Sequence, residues 1–255
     1  MTARSVFATP FVVAALLLPA GPAASAEIKV LTAGAMKSVV LALQPGFEAG
    51  TGHRLVIDND TVGGLTKRIE GGEAFDIAIV SPAAIDTLAG KGKIVPGSRA
   101  VIAKVGVGVA GKEGAPKPDL SSIDAFKRAL LAAKTVAYID PASGGSSGIY
   151  VAGLLGRLGI ADDIKPKERL QAGGHVAEKV AKGEAEIAIH QISEILPVKG
   201  VTLAGPLPEE IQNYTVYAAG LSAAARDPTA AQAWIAYLKG PAAAATLEGS
   251  GMRKP

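Results

Sequence analysis

Four short runs of small and hydroxyl-bearing residues hold most of the chemistry available to this chain. They are Thr32-Ala33-Gly34-Ala35-Met36, Asp60-Thr61-Val62-Gly63-Gly64, Asp140-Pro-Ala-Ser143-Gly-Gly-Ser146-Ser147-Gly148 and Gln171-Ala-Gly173-Gly174-His175. Each stands between a strand-like segment and a helix-like one. The first N–H groups of a helix lack intrahelical partners and carry partial positive charge, so such a junction favours carboxylates and oxyanions. Glycine lets backbone approach a ligand, and Ser and Thr add hydroxyl donors. One such run reads equally well as an ordinary N-cap. Four of them, all at the carboxyl side of strands where open α/β sheets bind ligands, point to an anion site.

Two other motifs carry less. Gly106-Val-Gly108-Val-Ala-Gly111 has the spacing of a dinucleotide fingerprint, but that loop must follow a strand and open a helix. Here the glycines lie inside an apolar β run, and Glu113-Gly-Ala-Pro-Lys-Pro follows. They read as strand glycines that allow close packing. Gly144-Gly-Ser146-Ser-Gly148 has the form of a nucleophile elbow, yet Ser146 comes seven residues after the strand end at Ile139 instead of directly on the turn. Of the three histidines, His53 follows a glycine in a loop-like stretch. His190 ends an apolar strand, and His175 opens a helix beside Gly173-Gly174.

The segments that must position these loops alternate. Strand-like runs at Ile28–Thr32, Arg54–Ile57, Phe75–Val80, Val101–Val109, Thr135–Ile139, Glu186–His190 and Tyr214–Leu221 alternate with segments whose apolar residues recur at helical spacing, such as Met36, Val39, Val40, Leu43 and Phe47. This alternation predicts an α/β fold of mostly parallel sheets flanked by helices. The long Val101–Val109 run and the Pro197-Val-Lys-Gly200 stretch are candidate joints between two lobes, with a ligand cleft between them. The expected boundaries are 27–105 with 198–255 for lobe 1 and 106–197 for lobe 2. Residues 1–26 read as an export signal: Arg4, an apolar Phe11–Leu18 and Ala24-Ser25-Ala26 before Glu27. That places the mature protein in the periplasm.

Composition excludes several classes. The chain has no cysteine, so thiol catalysis and thiolate metal sites are absent. Its formal net charge is only +3, its basic residues form no run longer than two, and 4% of its residues are aromatic, which leaves no basic, stacking surface for nucleic acid. No cofactor and no metal are expected.

Taken in order, the runs Ile28-Lys-Val-Leu-Thr-Ala-Gly-Ala-Met36, Leu65-Thr-Lys-Arg-Ile-Glu-Gly-Gly-Glu-Ala-Phe-Asp76, Asp140-Pro…Gly148-Ile-Tyr150, Gly183-Glu-Ala-Glu-Ile-Ala-Ile189 and Tyr237-Leu-Lys-Gly-Pro resemble the periplasmic molybdate-binding protein family. The resemblance covers essentially the whole chain after residue 26. It implies a two-lobed type II periplasmic-binding fold, an oxyanion held by N–H groups and hydroxyls, and the membrane subunits of an ABC importer as partner to a monomeric binding protein. Carried over, the family's two ligand serines fall on Ala35 and Val62, with Thr61 beside the latter. The third-loop contact falls on Ser147, the fourth on Gly173 or Gly174-His175, and the binding tyrosine on Gln191. The expected ligand contacts are therefore Gly34, Ala35, Met36, Thr61, Gly63, Ser143, Ser146, Ser147, Gly148, His175, His190 and Gln191. Exported aconitate isomerases resemble the same family. That alternative makes His175 or His190 the base of an allylic proton shift, a role that needs a pKa near the operating pH.

Overall fold

A computed structural model of the protein describes residues 25–254. The export-signal reading falls on residues outside these, apart from Ser25 and Ala26. Among the described residues no helix is long and apolar enough to cross a membrane.

The first half of the chain is β1 (Glu27–Ala33), α1 (Gly34–Thr51), β2 (Arg54–Asp60), α2 (Val62–Glu70), β3 (Ile77–Val80), α3 (Pro82–Gly90) and β4 (Ala100–Lys112). There follow α4 (Ile123–Ala132), β5 (Val136–Ile139), α5 (Ser146–Arg157), α6 (Ala161–Ile164), β6 (Glu168–Gln171), α7 (Glu178–Ala181), β7 (Ile187–Gln191) and α8 (Ile192–Ile195). The chain ends with β8 (Val201–Pro206), β9 (Tyr214–Leu221), α9 (Pro228–Lys239), α10 (Pro241–Gly249) and β10 (Met252–Arg253). The helical spacing read for α1 is what the fold uses: Met36, Val39, Val40, Leu43 and Phe47 are all buried, and Phe47 meets Trp234 of α9 edge-on at 4.9 Å. The helix stops at Gly52, whose φ of 74° lets its N–H turn back to the Glu48 carbonyl.

The strands run in the order β2-β1-β3-β9-β4-β7-β5-β6, and β4 belongs to both lobes. Its first half, Ala100–Gly106, pairs with β9, and its second half, from Val107, pairs with β7 and β8. Strands β1–β3 and β5–β7 pair in parallel as their βαβ connections require, whereas β4, β8, β9 and β10 pair antiparallel. In each lobe most strands run in one direction, and β9 and β10 in the first and β4 in the second run against it. Apolar clusters cover both faces of each, such as Val30, Phe47 and Trp234 on one side of the first and Leu31, Leu65 and Ile85 on the other.

Gly106, Gly108 and Gly111 lie within β4, as strand glycines should. A Cβ on Gly108 would come within 2.8 Å of Ile192 and Leu203, so bare backbone is what lets α8 and β8 pack onto the strand. β8 pairs with Gly108–Lys112, so the chain stays with the second lobe past Pro197. At the point where β4 changes partners, the Gln212 side chain bonds both backbone groups of Val107: its Oε1 accepts from Val107 N–H at 2.8 Å, and its Nε2 donates to the Val107 carbonyl at 3.0 Å.

Candidate functional site

The carboxyl ends of β1, β2, β5 and β7 converge on a cleft between the lobes. Ala33, Gly34, Ala35 and Asn59–Val62 form one wall; Ile139, Gly145–Ser147, Gly173 and Gly174 form the other; His190, Gln191, Glu194 and Tyr217 close the base. Only about 30 Å³ is open to the centre of a water molecule, room for one or two waters, so the lobes are closed on each other.

Helices α2, α3, α4 and α9 are capped by the side chains of Thr61, Ser81, Ser122 and Asp227. The two long helices that open onto the cleft from opposite lobes, α1 after Ala33 and α5 after Gly145, have no side-chain cap. Their first N–H groups therefore open onto the cavity without a capping side chain. Ser146 and Ser147 are the first residues of α5, not its caps, and Ser147 is buried.

Not every expected contact stands on the cavity wall. Gly34, Ala35, Thr61, Ser146, Ser147, His190 and Gln191 do; Met36, Gly63, Ser143, Gly148 and His175 do not. Met36 is buried in the core of the first lobe. Gly148 lies so close to β5 that a Cβ there would sit 2.2 Å from the Ile139 carbonyl oxygen. Thr61, Gly63 and Ser143 join the lobes to each other. Thr61 Oγ1 donates to the Ser143 carbonyl at 2.6 Å and accepts from Gly64 N–H, and Gly63 N–H donates to the Gly144 carbonyl at 3.1 Å. The Ser143 hydroxyl turns back to the Asp140 carbonyl at 2.7 Å. His175 precedes α7 in a turn, since the helix begins at Glu178 instead of Val176. Burial, and then the charge of Lys37, hold its imidazole below the usual range.

Two residues at the base escaped the sequence reading. Glu194, on the short α8 that follows β7, is 7% exposed, and its Oε2 lies 3.3 Å from His190 Nε2. Burial pushes the Glu194 carboxyl up to about 8 and, with a smaller push from His175, drives the His190 imidazole down to about 3. Both are uncharged near neutrality, each because burial disfavours its charged form. His190 Nδ1 is buried with no hydrogen-bond partner among the described residues. Tyr217 of β9 is the second. Its hydroxyl donates to Gln191 Oε1 at 2.7 Å, Gln191 Nε2 donates to Thr215 Oγ1 at 3.1 Å, and the Ser146 hydroxyl stands beside the phenol. The family tyrosine falls on Gln191 in sequence, and a phenol from another strand reaches that same glutamine in space. Glu194 was legible only as an i+4 neighbour of His190; Tyr217 sits in an apolar strand and gave no signal.

The arrangement can hold a small anion on two helix N-termini and the serine hydroxyls, and it sets the buried His190 and Glu194 side chains, 3.3 Å apart, beside that anion. Among the described residues, no Lys or Arg lines the cavity, and no cluster of three or more His, Asp or Glu is arranged to hold a metal ion.

Comparison with known proteins agrees with this geometry. The profile of the bacterial extracellular solute-binding proteins matches residues 28–253. The chain is 32% identical over 249 residues to an aconitate isomerase from a Pseudomonas species, with 94% of each chain covered. It is 28% identical over 246 residues to the molybdate-binding protein ModA of Azotobacter vinelandii, with 90% of each covered. Among solved structures, the periplasmic molybdate-binding protein of Azotobacter vinelandii superposes with a TM-score of 0.74 at 21% identity, covering 89% of this chain and 99% of that one. The fold is thus the two-lobed type II periplasmic-binding fold, and the chain belongs to the bacterial extracellular solute-binding protein family.

Proposed function

We propose that this protein captures a small anion, an oxyanion such as molybdate or a small carboxylate, and hands it as a monomer to the membrane subunits of an ABC-type importer. One observation carries the reading: α1 and α5, one from each lobe, open onto a single cavity with no side-chain cap. Closing the lobes brings both N-termini to one anion. Residues 1–26 serve as the export signal, cleaved after Ala26, and the mature protein works in the periplasm. The lobes exchange at Gly106/Val107 and near Gln212, a division supported by the pairing of β8 with the second half of β4. The ligand contacts are the N–H groups of Gly34 and Ala35, the hydroxyls of Ser146 and Ser147, and the side chains of His190, Gln191 and Glu194. A thermal-shift screen of oxyanions and of di- and tricarboxylates, followed by calorimetry, tests the reading. A raised melting temperature with at least one anion is expected; no response from either class overturns it.

A second reading is favoured by the His190–Glu194 pair and by the aconitate isomerase relative. Interconverting cis- and trans-aconitate removes a proton from the CH2 group and returns one to the other end of the allylic system, so no atom is gained or lost. A base needs a pKa near the working pH. Burial holds His190 too low for that role, and the ionised Glu194 carboxylate takes it instead. Purified protein is incubated with each isomer and the other is followed by chromatography. In this reading Glu194→Gln lowers turnover by about a hundred- to ten-thousand-fold, and His175→Asn and His190→Asn lower it less. Absence of interconversion in the native protein removes this reading and leaves anion capture standing.

A further inference from the structure

Glu194 poses an electrostatic problem for an anion site. Its carboxyl is a wall of the cavity and is 7% exposed, and a Cβ on Gly34, the first residue of α1, would lie 2.6 Å from Glu194 Oε1. It therefore stands at the N-terminus where the anion is to bind. Asp60, the other carboxylate on the wall, is part-exposed, accepts the Thr61 N–H and has Arg68 at 3.7 Å. Among the described residues Glu194 has no Lys or Arg paired with it. The titratable groups beside its carboxyl are His190 from β7 and Tyr217 from β9; His175, from the turn before α7, bonds the Glu194 backbone and has Lys37 of α1 acting on it. An ionised Glu194 would confront the bound anion in a buried, weakly screened site, and like charges there cannot coexist cheaply. A protonated Glu194 removes the repulsion and supplies an O–H donor. The buried Nδ1 of His190 is a second polar group at the base, without a hydrogen-bond partner among the described residues.

We propose that Glu194 is the specificity-determining proton carrier of the cleft: the site accepts an anion only together with a proton on this carboxyl, so each anion captured from alkaline solution brings one proton with it. The inference rests on the capture reading and deepens it. It separates this cleft from one that binds anions through N–H and hydroxyl donors alone, whose affinity is flat with pH.

The test is calorimetric titration of the intact protein with molybdate and, separately, with trans-aconitate, in two buffers of unlike ionisation enthalpy, at about pH 6.5 and about pH 9. Neither probe changes its own protonation over that span. Uptake of about one proton per anion is expected at the higher pH and almost none at the lower, with Kd rising about tenfold per pH unit above about pH 8. Glu194→Gln removes both the uptake and the slope, whatever its affinity at the lower pH. Binding without proton uptake in the native protein, or a slope that survives in Glu194→Gln, overturns the proposal. Failure of both probes to bind at either pH, with no response to any oxyanion or carboxylate in the thermal-shift screen, refutes the capture reading instead. The proposal is then decided in the ligand-free native protein by infrared spectroscopy. A buried carboxylic-acid C=O band present at the lower pH and lost at the higher is expected, and its absence at the lower pH overturns the proposal.

Discussion

Gly63 and Gly144 meet backbone to backbone across the cleft: Gly63 N–H donates to the Gly144 carbonyl, and a Cβ on either residue would lie 2.7 Å from the other's Cα. No side chain fits there without moving the lobes apart. Gly144 also has a φ of +75°, where any other residue is strained, so Gly63 is the cleaner place to test the contact.

Gly63 lies inside α2, where alanine is ordinarily the better helix former. Gly63→Ala is therefore expected to leave the ligand-free protein as stable as before, or slightly more so, while obstructing closure. Overpacking of this kind costs about 1–3 kcal/mol, roughly five- to hundredfold in Kd. Calorimetry reads the affinity, and small-angle scattering with saturating ligand reads a larger radius of gyration than in the native protein. Unchanged affinity would show that the lobes close elsewhere.

Ser147 is a buried hydroxyl in the first turn of α5, on the cavity wall. A hydrogen bond to a charged group contributes about 1.5–3 kcal/mol, so Ser147→Ala should raise Kd by roughly ten- to hundredfold. The melting temperature without ligand should barely change, since the helix does not use this hydroxyl as a cap. A variant that binds as tightly as the native protein would assign Ser147 to packing alone.

The Glu194–His190 pair gives folding stability two opposed pH slopes. Glu194 keeps its proton when folded up to about pH 8, whereas the unfolded chain loses it near 4.5, so this group's contribution falls as pH rises through that window. His190 stays neutral when folded down to about pH 3, whereas the unfolded chain gains a proton below 6.5, so its contribution falls as pH drops through that window. Glu194→Gln should therefore be more stable than the native protein at about pH 8 by a few kcal/mol, with the gain gone near pH 4. His190→Asn should lose the acid-side decline and keep the alkaline one. Chemical denaturation across the pH range measures both, and parallel curves for the two variants would refute the assignment.

Ala35 and Val62 stand where the resembling family places hydroxyl donors, and both line the cavity. Molybdate should accordingly bind weakly, and Ala35→Ser should tighten it by up to about tenfold, the worth of one added hydrogen bond. Titration of both proteins with molybdate decides this. Tight binding by the native protein would show that α1, α5 and the serines suffice.

Much of this protein could be read from the order of its residues. The period of Met36, Val39, Val40, Leu43 and Phe47 dictates a helix with one buried face, and Gly-Ser runs after strands dictate helix starts with free N–H groups. These are local properties, set within a few residues by sterics and hydrogen bonding, and so are the β-α alternation and the strand assignment of Gly106–Gly111. Pairing partners are not local. The placement of β8 beside the second half of β4 and the antiparallel joins at the lobe crossing depend on contacts far apart in sequence, which a Pro-Gly stretch such as 197–200 does not encode.

The same division runs through the site. The sequence by itself determined that α1 and α5 begin with small, anion-tolerant turns and that Gly63 and Gly144 lie at strand–helix junctions. Only the tertiary structure decided that those two glycines face each other, that Tyr217 of β9 reaches Gln191 of β7, and that Glu194 is enclosed beside His190. The physical reason is that a residue's type fixes which bonds and charges it can offer, whereas burial and the approach of distant segments fix which of them it keeps. A glutamate four residues after a histidine is an ordinary charged side chain on a chain in water; buried at the base of the cleft, it holds its proton.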